Sequence, residues 1–305
     1  MTIAQYVKAA LDRRGTRSLL AWCATRHARR KTGTKLRVVF DRVWGHELDG
    51  RFWSDSERFI YNRHVADKWL RQARVADQQS AEYWYFVYRP KRGDIIVDIG
   101  AGDGADLPLF SKAVGPMGQV IAIEAHPVTF SLMEQTVARN GLTNVICLQK
   151  AIVDKPCKLE ISNFDDHIAN SVDLGTSDVA GYEVDGLSLE NICQELGISR
   201  IDFLKMNIEG AEKLAIHGMA SVMPYIRYLC IACHDFRADR GDGEQYRTKA
   251  IVTAFLRHHG CQRITRDSHS DPSVRDHVHA CGPAELNHAS RPDSGLEKFI
   301  SLGEE

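Results

Sequence analysis

The stretch Val97-Asp98-Ile99-Gly100-Ala101-Gly102-Asp103-Gly104 places glycines at G-x-G-x-G spacing, with one aspartate before the loop and one inside it. Glycines here let the backbone turn sharply and approach a ligand closely. A dinucleotide loop runs G-x-G-x-x-G and leaves a helix N-terminus open for pyrophosphate. Asp98 and Asp103 would repel pyrophosphate. They suit a cation, such as the ammonium and sulfonium of S-adenosylmethionine, while the loop backbone cradles the ligand. Glu124, in Ile123-Glu124-Ala125-His126-Pro127, stands 20 residues beyond Gly104. A carboxylate there can accept both ribose hydroxyls of an adenosine.

Two further segments carry chemistry. In Met206-Asn207-Ile208-Glu209, the polar residues are two apart and share a face if the chain is extended. In Ile231-Ala232-Cys233-His234-Asp235, His234 and Asp235 emerge from an apolar run. His234 is the first candidate for a general base, because an ordinary imidazole titrates near pH ~6.5. Glu209 is the second, with Asp235 beside them. Asn207, Glu209 and Asp235 could instead hold a hard divalent cation, although no tight ligand motif supports a metal. Cys230-Ile231-Ala232-Cys233-His234 matches the C-x-x-C-H haem pattern. Here it reads as a buried strand whose cysteines point to opposite faces, which excludes haem attachment. A zinc set lacks a second C-x-x-C, and His277 and His279 read as surface or helix-end histidines.

These residues need a sheet to hold them. The short apolar run Ile95–Ile99 reads as a buried parallel strand, and 120–123, Val145–Leu148, 158–161, Ile201–Met206 and 228–233 read as further strands. Helices are expected over 105–114, 127–140, 187–196 and 244–259, several with Pro at the start or Gly at the end. Gln262–Thr265 and His277–Cys281, with a polar link between them, predict a terminal antiparallel hairpin. The expected fold is α/β: a Rossmann-like, doubly wound, seven-stranded, mostly parallel sheet with a C-terminal antiparallel hairpin. Ligands of such sheets sit beyond the carboxyl ends of the strands.

From about Arg89 to Gly282 the chain resembles the FkbM family of class I methyltransferases. The resemblance rests on Gly93-Asp94-Ile95-Ile96-Val97-Asp98-Ile99-Gly100-Ala101, on Glu124-Ala125-His126-Pro127, and above all on Ile201-Asp202-Phe203-Leu204-Lys205-Met206-Asn207-Ile208-Glu209-Gly210-Ala211-Glu212. The family commonly has an aspartate where Asn207 stands, and an Asn-Ile pair is frequent where Gly102-Asp103 stands. The resemblance implies S-adenosylmethionine-dependent O-methylation of a hydroxyl on a sugar, glycolipid or natural product. It also implies that Ala151, in Lys150-Ala151-Ile152-Val153-Asp154, lies by the adenine. The cofactor-binding set is then Asp98, Gly100, Ala101, Gly102, Asp103, Gly104, Glu124, Ala125, Ala151 and Asn207. Asn207 in place of an acid favours one alternative, a non-catalytic cofactor- or glycan-binding protein. An NAD-dependent oxidoreductase is disfavoured by the loop spacing.

Composition sets outer bounds. With 305 residues, 44% hydrophobic and 26% charged, the chain is large enough to bury a core without disulfides. Its eight cysteines fit reduced, mostly buried thiols in a cytoplasmic protein, and no secretory pattern follows the short apolar run 19–24. No run approaches the ~20 apolar residues of a membrane span. Residues 1–88 read as a helical region, first basic and then aromatic, that caps the substrate side; residues 89–282 are the methyltransferase domain, and 283–305 a polar tail. Residues 1–40 hold ten Lys or Arg against Asp12 alone, although the whole chain carries only −1. Such an arm can lie in solvent, dock on the acidic body, or touch anionic lipid headgroups. No DNA- or RNA-methylation motif accompanies it, so no nucleic-acid partner is expected.

Overall fold

The computed structural model describes residues 12–13, 15–62, 64–162, 172–173 and 181–289. Helix α1 (Arg17–Thr32) is closed by Gly33 in the left-handed conformation. Strands β1 (Arg37–Asp41), β2 (Val43–Leu48) and β3 (Arg51–Ser56) then form an antiparallel meander, followed by the long helix α2 (Val65–Trp84). The all-helical expectation for residues 1–88 is thereby corrected. Asp49 and Gly50, at φ 52° and 83°, make the Asp-Gly turn that joins two β-rich runs. Tyr6, Ala9, Ala10, Leu19, Leu20 and Trp22 are spaced in the sequence roughly for one buried helical face, and the structure differs. Tyr6, Ala9 and Ala10 lie outside the described residues, and Leu19 and Trp22 are 61% and 59% exposed, while Ala24 and Ala28 are the buried positions.

The main sheet begins with β4 (Ile95–Ile99), α3 (Leu107–Val114), β5 (Gln119–Ile123), α4 (Pro127–Arg139) and β6 (Val145–Leu148). The chain then leaves it for a small sheet of β7 (Ala151–Ile152), β8 (Cys157–Ser162), β9 (Val172–Asp173) and β10 (Gly181–Leu187). The strand expected at 158–161 belongs to this side sheet. Its partner β10 escaped notice because Gly181, Asp185 and Gly186 dilute its apolar alternation.

Helix α5 (Leu189–Leu196) leads back to β11 (Ile201–Met206), α6 (Glu212–Gly218) and β12 (Ile226–Ala232). After α7 (Asp235–Asp239) and α8 (Lys249–His258), β13 (Gln262–Thr265), α9 (Pro272–Arg275) and β14 (His277–Cys281) complete the sheet. The expected helix over 244–259 is split, with a 3-10 turn at Glu244–Tyr246 before α8. The expected loose tail opens instead with α10 (Pro283–Ala289), whose Glu285 pairs with Arg227 at 2.6 Å.

The seven strands run in the order β13-β14-β12-β11-β4-β5-β6, with only β14 antiparallel to its neighbours. One face packs on Leu189, Ile192, Ile216 and Leu256. The other packs on Trp84, Tyr85, Leu107 and Phe110, so the aromatic end of α2 closes that side of the core. The chain proceeds from β4 toward β6 on one side and from β11 toward β12 on the other. That reversal opens a crevice at the ends of β4 and β11.

Candidate active site

The glycine loop leaves β4 directly into this crevice. Gly100 has φ 73°, and a Cβ built there would lie 2.1 Å from the Asn207 carbonyl oxygen, so only glycine fits. The loop is pinned from three sides. The Gly100 N–H donates to the Ile123 carbonyl at 2.8 Å, the Asn207 N–H donates to Ile99 at 2.9 Å, and Lys205 Nζ donates to the Gly100 carbonyl at 2.8 Å. Lys205 also pairs with Asp98 at 2.7 Å, both side chains being buried. Burial pushes the Asp98 carboxyl up to about 6 and Lys205 partly offsets it, so the pair stays ionised at neutral pH.

A cavity opens between this loop, the end of β5 and the start of β7. Gly100, Gly102, Glu124, Ala125, Ala151 and Asn207 of the expected cofactor set line it. The Glu124 carboxylate accepts the Gly102 N–H at 3.0 Å and the His126 N–H at 2.9 Å. Burial pushes its pKa up to about 7, with those two donors working against the rise. The remaining members stand elsewhere. Asp98 is behind the loop with Lys205. Ala101 packs in the core, and Gly104 faces Leu107, Met133 and Thr136. Asp103 points its carboxylate to the Ala105 N–H and lines a second cavity.

That second cavity, of about 440 Å³, lies across the ends of β11 and β12. Its far wall comes from the N-terminal region: His46, Trp53 and Asp55 of the meander, and Gln79, Ser80 and Trp84 of α2. His46 is stacked between Trp53 and Trp69 at 5.2 and 4.3 Å, and its Nδ1 lies 2.9 Å from Asp55. Asp106 accepts from Ser80 and from Trp84 Nε1. Composition flagged this region as aromatic, yet nothing local in it marked His46, Asp55 or Asp106 as cavity residues.

Asn207 and Glu209 line both cavities. They do so because the chain turns after β11 rather than by strand alternation: Glu209 has φ 52°. Its carboxylate meets Arg237 Nη1 at 2.7 Å and His234 Nε2 at 3.2 Å. On the other side, His234 Nδ1 lies 3.4 Å from Glu212. Burial alone would lower the His234 pKa, but Glu209 and Glu212 raise it to about 9. Between these two carboxylates the ring favours its cationic form at neutral pH, which weighs against the expected role as a free base. Burial acts to raise the Glu209 pKa, but His234 and Arg237 outweigh it and hold the carboxyl below its ordinary value. Asp235 is also reassigned: its Oδ1 accepts the Thr248 and Lys249 N–H groups at 2.9 Å each and caps α8. With Asp235 turned to α8 and Glu209 held by two cations, the alternative oxygen trio of Asn207, Glu209 and Asp235 is not assembled among the described residues.

The sequence pattern of the "Methyltransferase FkbM domain" matches residues 98–262, more than half of the chain. The chain belongs to the FkbM methyltransferase family. A solved FkbM methyltransferase from Methylobacillus flagellatus is 17% identical, with a TM-score of 0.46, over 66% of this chain and 47% of its own. An S-adenosylmethionine-dependent methyltransferase from Aquifex aeolicus is 17% identical, with a TM-score of 0.41, over 70% of this chain and 96% of its own. A curated protein-L-isoaspartate O-methyltransferase from Methanococcus aeolicus is 40% identical over 55 residues; these span 18% of this chain and 26% of that relative.

The cofactor of FkbM methyltransferases is S-adenosylmethionine, and the first cavity has the donor set to hold it. Gly100 and Gly102 give close backbone approach, Glu124 offers a buried carboxylate, and Ala125 and Ala151 present small walls. Asn207 Oδ1 is buried without a hydrogen-bond partner among the described residues. An orphaned acceptor of this kind costs about 1–3 kcal/mol unless a ligand donor meets it, and an ammonium group would do so.

Proposed function

We propose that this FkbM-family protein is an S-adenosylmethionine-dependent O-methyltransferase acting on a hydroxyl of a sugar, glycolipid or hydroxylated natural product. The observation that carries the reading is the shared wall: one short segment, Asn207 to Glu209, faces both the cofactor cavity and the polar cleft. Carboxylates at Asp55, Asp103 and Asp106 beside Trp53 and Trp84 suit an acceptor with several hydroxyls and an apolar ring face.

When bound, the cofactor supplies an electrophilic methyl group on a sulfonium. The chain's own contribution is chiefly alignment, which can be worth ~7–11 kcal/mol in well-oriented systems. A hydroxyl grows strongly acidic as its oxygen gains a methyl group, so a carboxylate of lowered pKa is base enough to take the proton. Glu209 stands where that proton leaves, at the boundary of the two cavities. Arg237 and cationic His234 fix its two oxygens, so His234 acts as a positioning residue. The N-terminal meander and α2 close the cleft and limit water at that boundary.

Release of S-adenosylhomocysteine in the presence of a panel of hydroxylated acceptors tests the proposal. Cofactor binding without turnover on any hydroxyl acceptor would instead favour a cofactor-binding protein.

The eight unpaired cysteines fit a reducing compartment, and the proposal extends to a cytoplasmic enzyme. Among the described residues no helix is long and apolar enough to cross a membrane. The exposed Leu19 and Trp22, beside Arg26, Arg29 and Arg30, support peripheral contact of α1 with anionic lipid. Binding to anionic vesicles that fades with salt is expected; equal binding to neutral vesicles would refute it.

A further inference from the structure

Three buried side chains behind the acceptor cleft are not used by the proposed chemistry. We propose that Cys230, His277 and His279 form a site for a borderline-soft divalent metal ion of the zinc class. The sheet register assembles it. Strand β12 pairs with β14 so that Cys230 lies directly opposite His279, and Ala232 opposite His277. The period of two along a strand then puts both imidazoles and the thiol on one face. One ligand atom from each of the three lies within 4.8 Å of the other two. Cys230 Sγ is 3.9 Å from His279 Nε2, near the roughly 3.5 Å expected between sulfur and nitrogen ligands sharing a tetrahedral zinc.

The imidazoles are prepared for ligation. His277 Nδ1 lies 3.3 Å from the Tyr83 carbonyl, which can only accept, so Nδ1 carries the proton and Nε2 keeps its lone pair. His279 Nδ1 is buried and has no hydrogen-bond partner among the described residues. Burial raises the Cys230 thiol, with Lys205 and Arg266 opposing that rise. Both cations have anionic partners, Asp98 for Lys205 and Glu82 for Arg266, which limits their repulsion of an ion. On binding, the Cys230 S–H bond breaks, the sulfur electron pair goes to the metal, and one proton leaves to solvent.

Trp84 stacks on His277 at 5.1 Å and Phe86 lies 5.3 Å from His279, giving the site an aromatic outer wall. Three protein ligands leave a fourth position open. Ala232 and His277 both border the acceptor cleft, so the site adjoins it. Only this last point rests on the acceptor reading; metal binding itself does not.

The test is a titration of chelator-stripped full-length protein with Co²⁺, followed by displacement with Zn²⁺. The expected result is one equivalent of tetrahedral cobalt absorption, a thiolate charge-transfer band and release of a thiol proton. Cys230→Ala should abolish the charge-transfer band, and His279→Gln should weaken uptake by at least roughly tenfold. Replacing the exposed Cys23 and Cys157 together should leave uptake unchanged. S-adenosylmethionine binding, measured on each sample, reports the fold and the cofactor reading separately. Absence of stoichiometric uptake by wild-type protein, or undiminished uptake by Cys230→Ala in folded protein, overturns the site.

Discussion

The two cavities are built on different principles although they share a wall. The cavity proposed for the cofactor is lined mainly by four short segments at strand ends, 99–102, 123–126, 150–152 and 207–214. The polar cleft proposed for the acceptor gathers residues from 46 to 277 and depends on how the N-terminal meander docks on the sheet. Local backbone geometry makes the first, and long-range packing makes the second. A site of the first kind tolerates change in distant elements, whereas a site of the second kind can be reshaped by altering α2 or β3 without touching the loop.

The sharpest way to break this comparison is at the boundary. Glu209→Gln should lower turnover by roughly 10²-fold or more, since it removes the proton acceptor and one carboxylate partner of both Arg237 and His234. Cofactor affinity, measured by calorimetry, should change far less. The pH profile separates the two candidate bases. Glu209 is held below its ordinary pKa, so a rate that depends on it stays flat from about pH 6 to 8. A rate that climbs as pH passes about 9 would return the role to His234. The same shift has a stability sign. His234 rises from 6.5 in the unfolded chain to about 9 in the fold, so its contribution is complete below pH 6.5 and is lost as pH rises through 9. Denaturant titration of wild type and His234→Gln across that window should show a difference that shrinks at alkaline pH.

Next in size is the cofactor side. Glu124→Ala should weaken S-adenosylmethionine binding by ~1.5–3 kcal/mol, the worth of a hydrogen bond to a charged group. The Glu124 carboxyl titrates near pH 7 before the cofactor arrives, and ribose hydroxyls donate to its ionised form. Wild-type affinity should therefore fall as pH drops below about 7, and the variant should lose that dependence. An unchanged affinity in the variant would remove Glu124 from the site.

Legibility in the sequence follows the same division. The glycine loop, Glu124 and the segment around Asn207 could be read because each is a local pattern whose spacing matches a strand end. Strands Ile95–Ile99, Val145–Leu148, Ile201–Met206, Gln262–Thr265 and His277–Cys281 were readable to the residue for the same reason. The meander was missed although Asp49-Gly50 between two β-rich runs announces a hairpin. His277 and His279 read as surface residues because alternation with Val278 and Ala280 resembles a half-exposed edge. They are buried because α2 covers that face, and no local pattern reports a helix nearly two hundred residues upstream. His234 could be placed at a strand end from the sequence, but its two carboxylate partners could not. Its pKa depends on Glu209 and Glu212, which only the fold brings to opposite sides of its ring.

The smallest expected effect lies one residue away from that histidine, at Asp235. Its carboxylate caps α8 through Thr248 and Lys249, and it does not line either cavity. Asp235→Ala should therefore destabilise the fold by about 0.5–2 kcal/mol, the usual cost of losing a helix N-cap. Turnover per folded molecule should stay within about twofold, since no reacting group is touched. Asp235→Asn keeps an oxygen that can accept both N–H groups and should recover most of the stability. Denaturant unfolding and S-adenosylhomocysteine release on the same preparations separate the two effects. A large loss of turnover with stability intact would mean that Asp235 reaches the acceptor after all. The boundary between cap and site would then have to be drawn beyond α7.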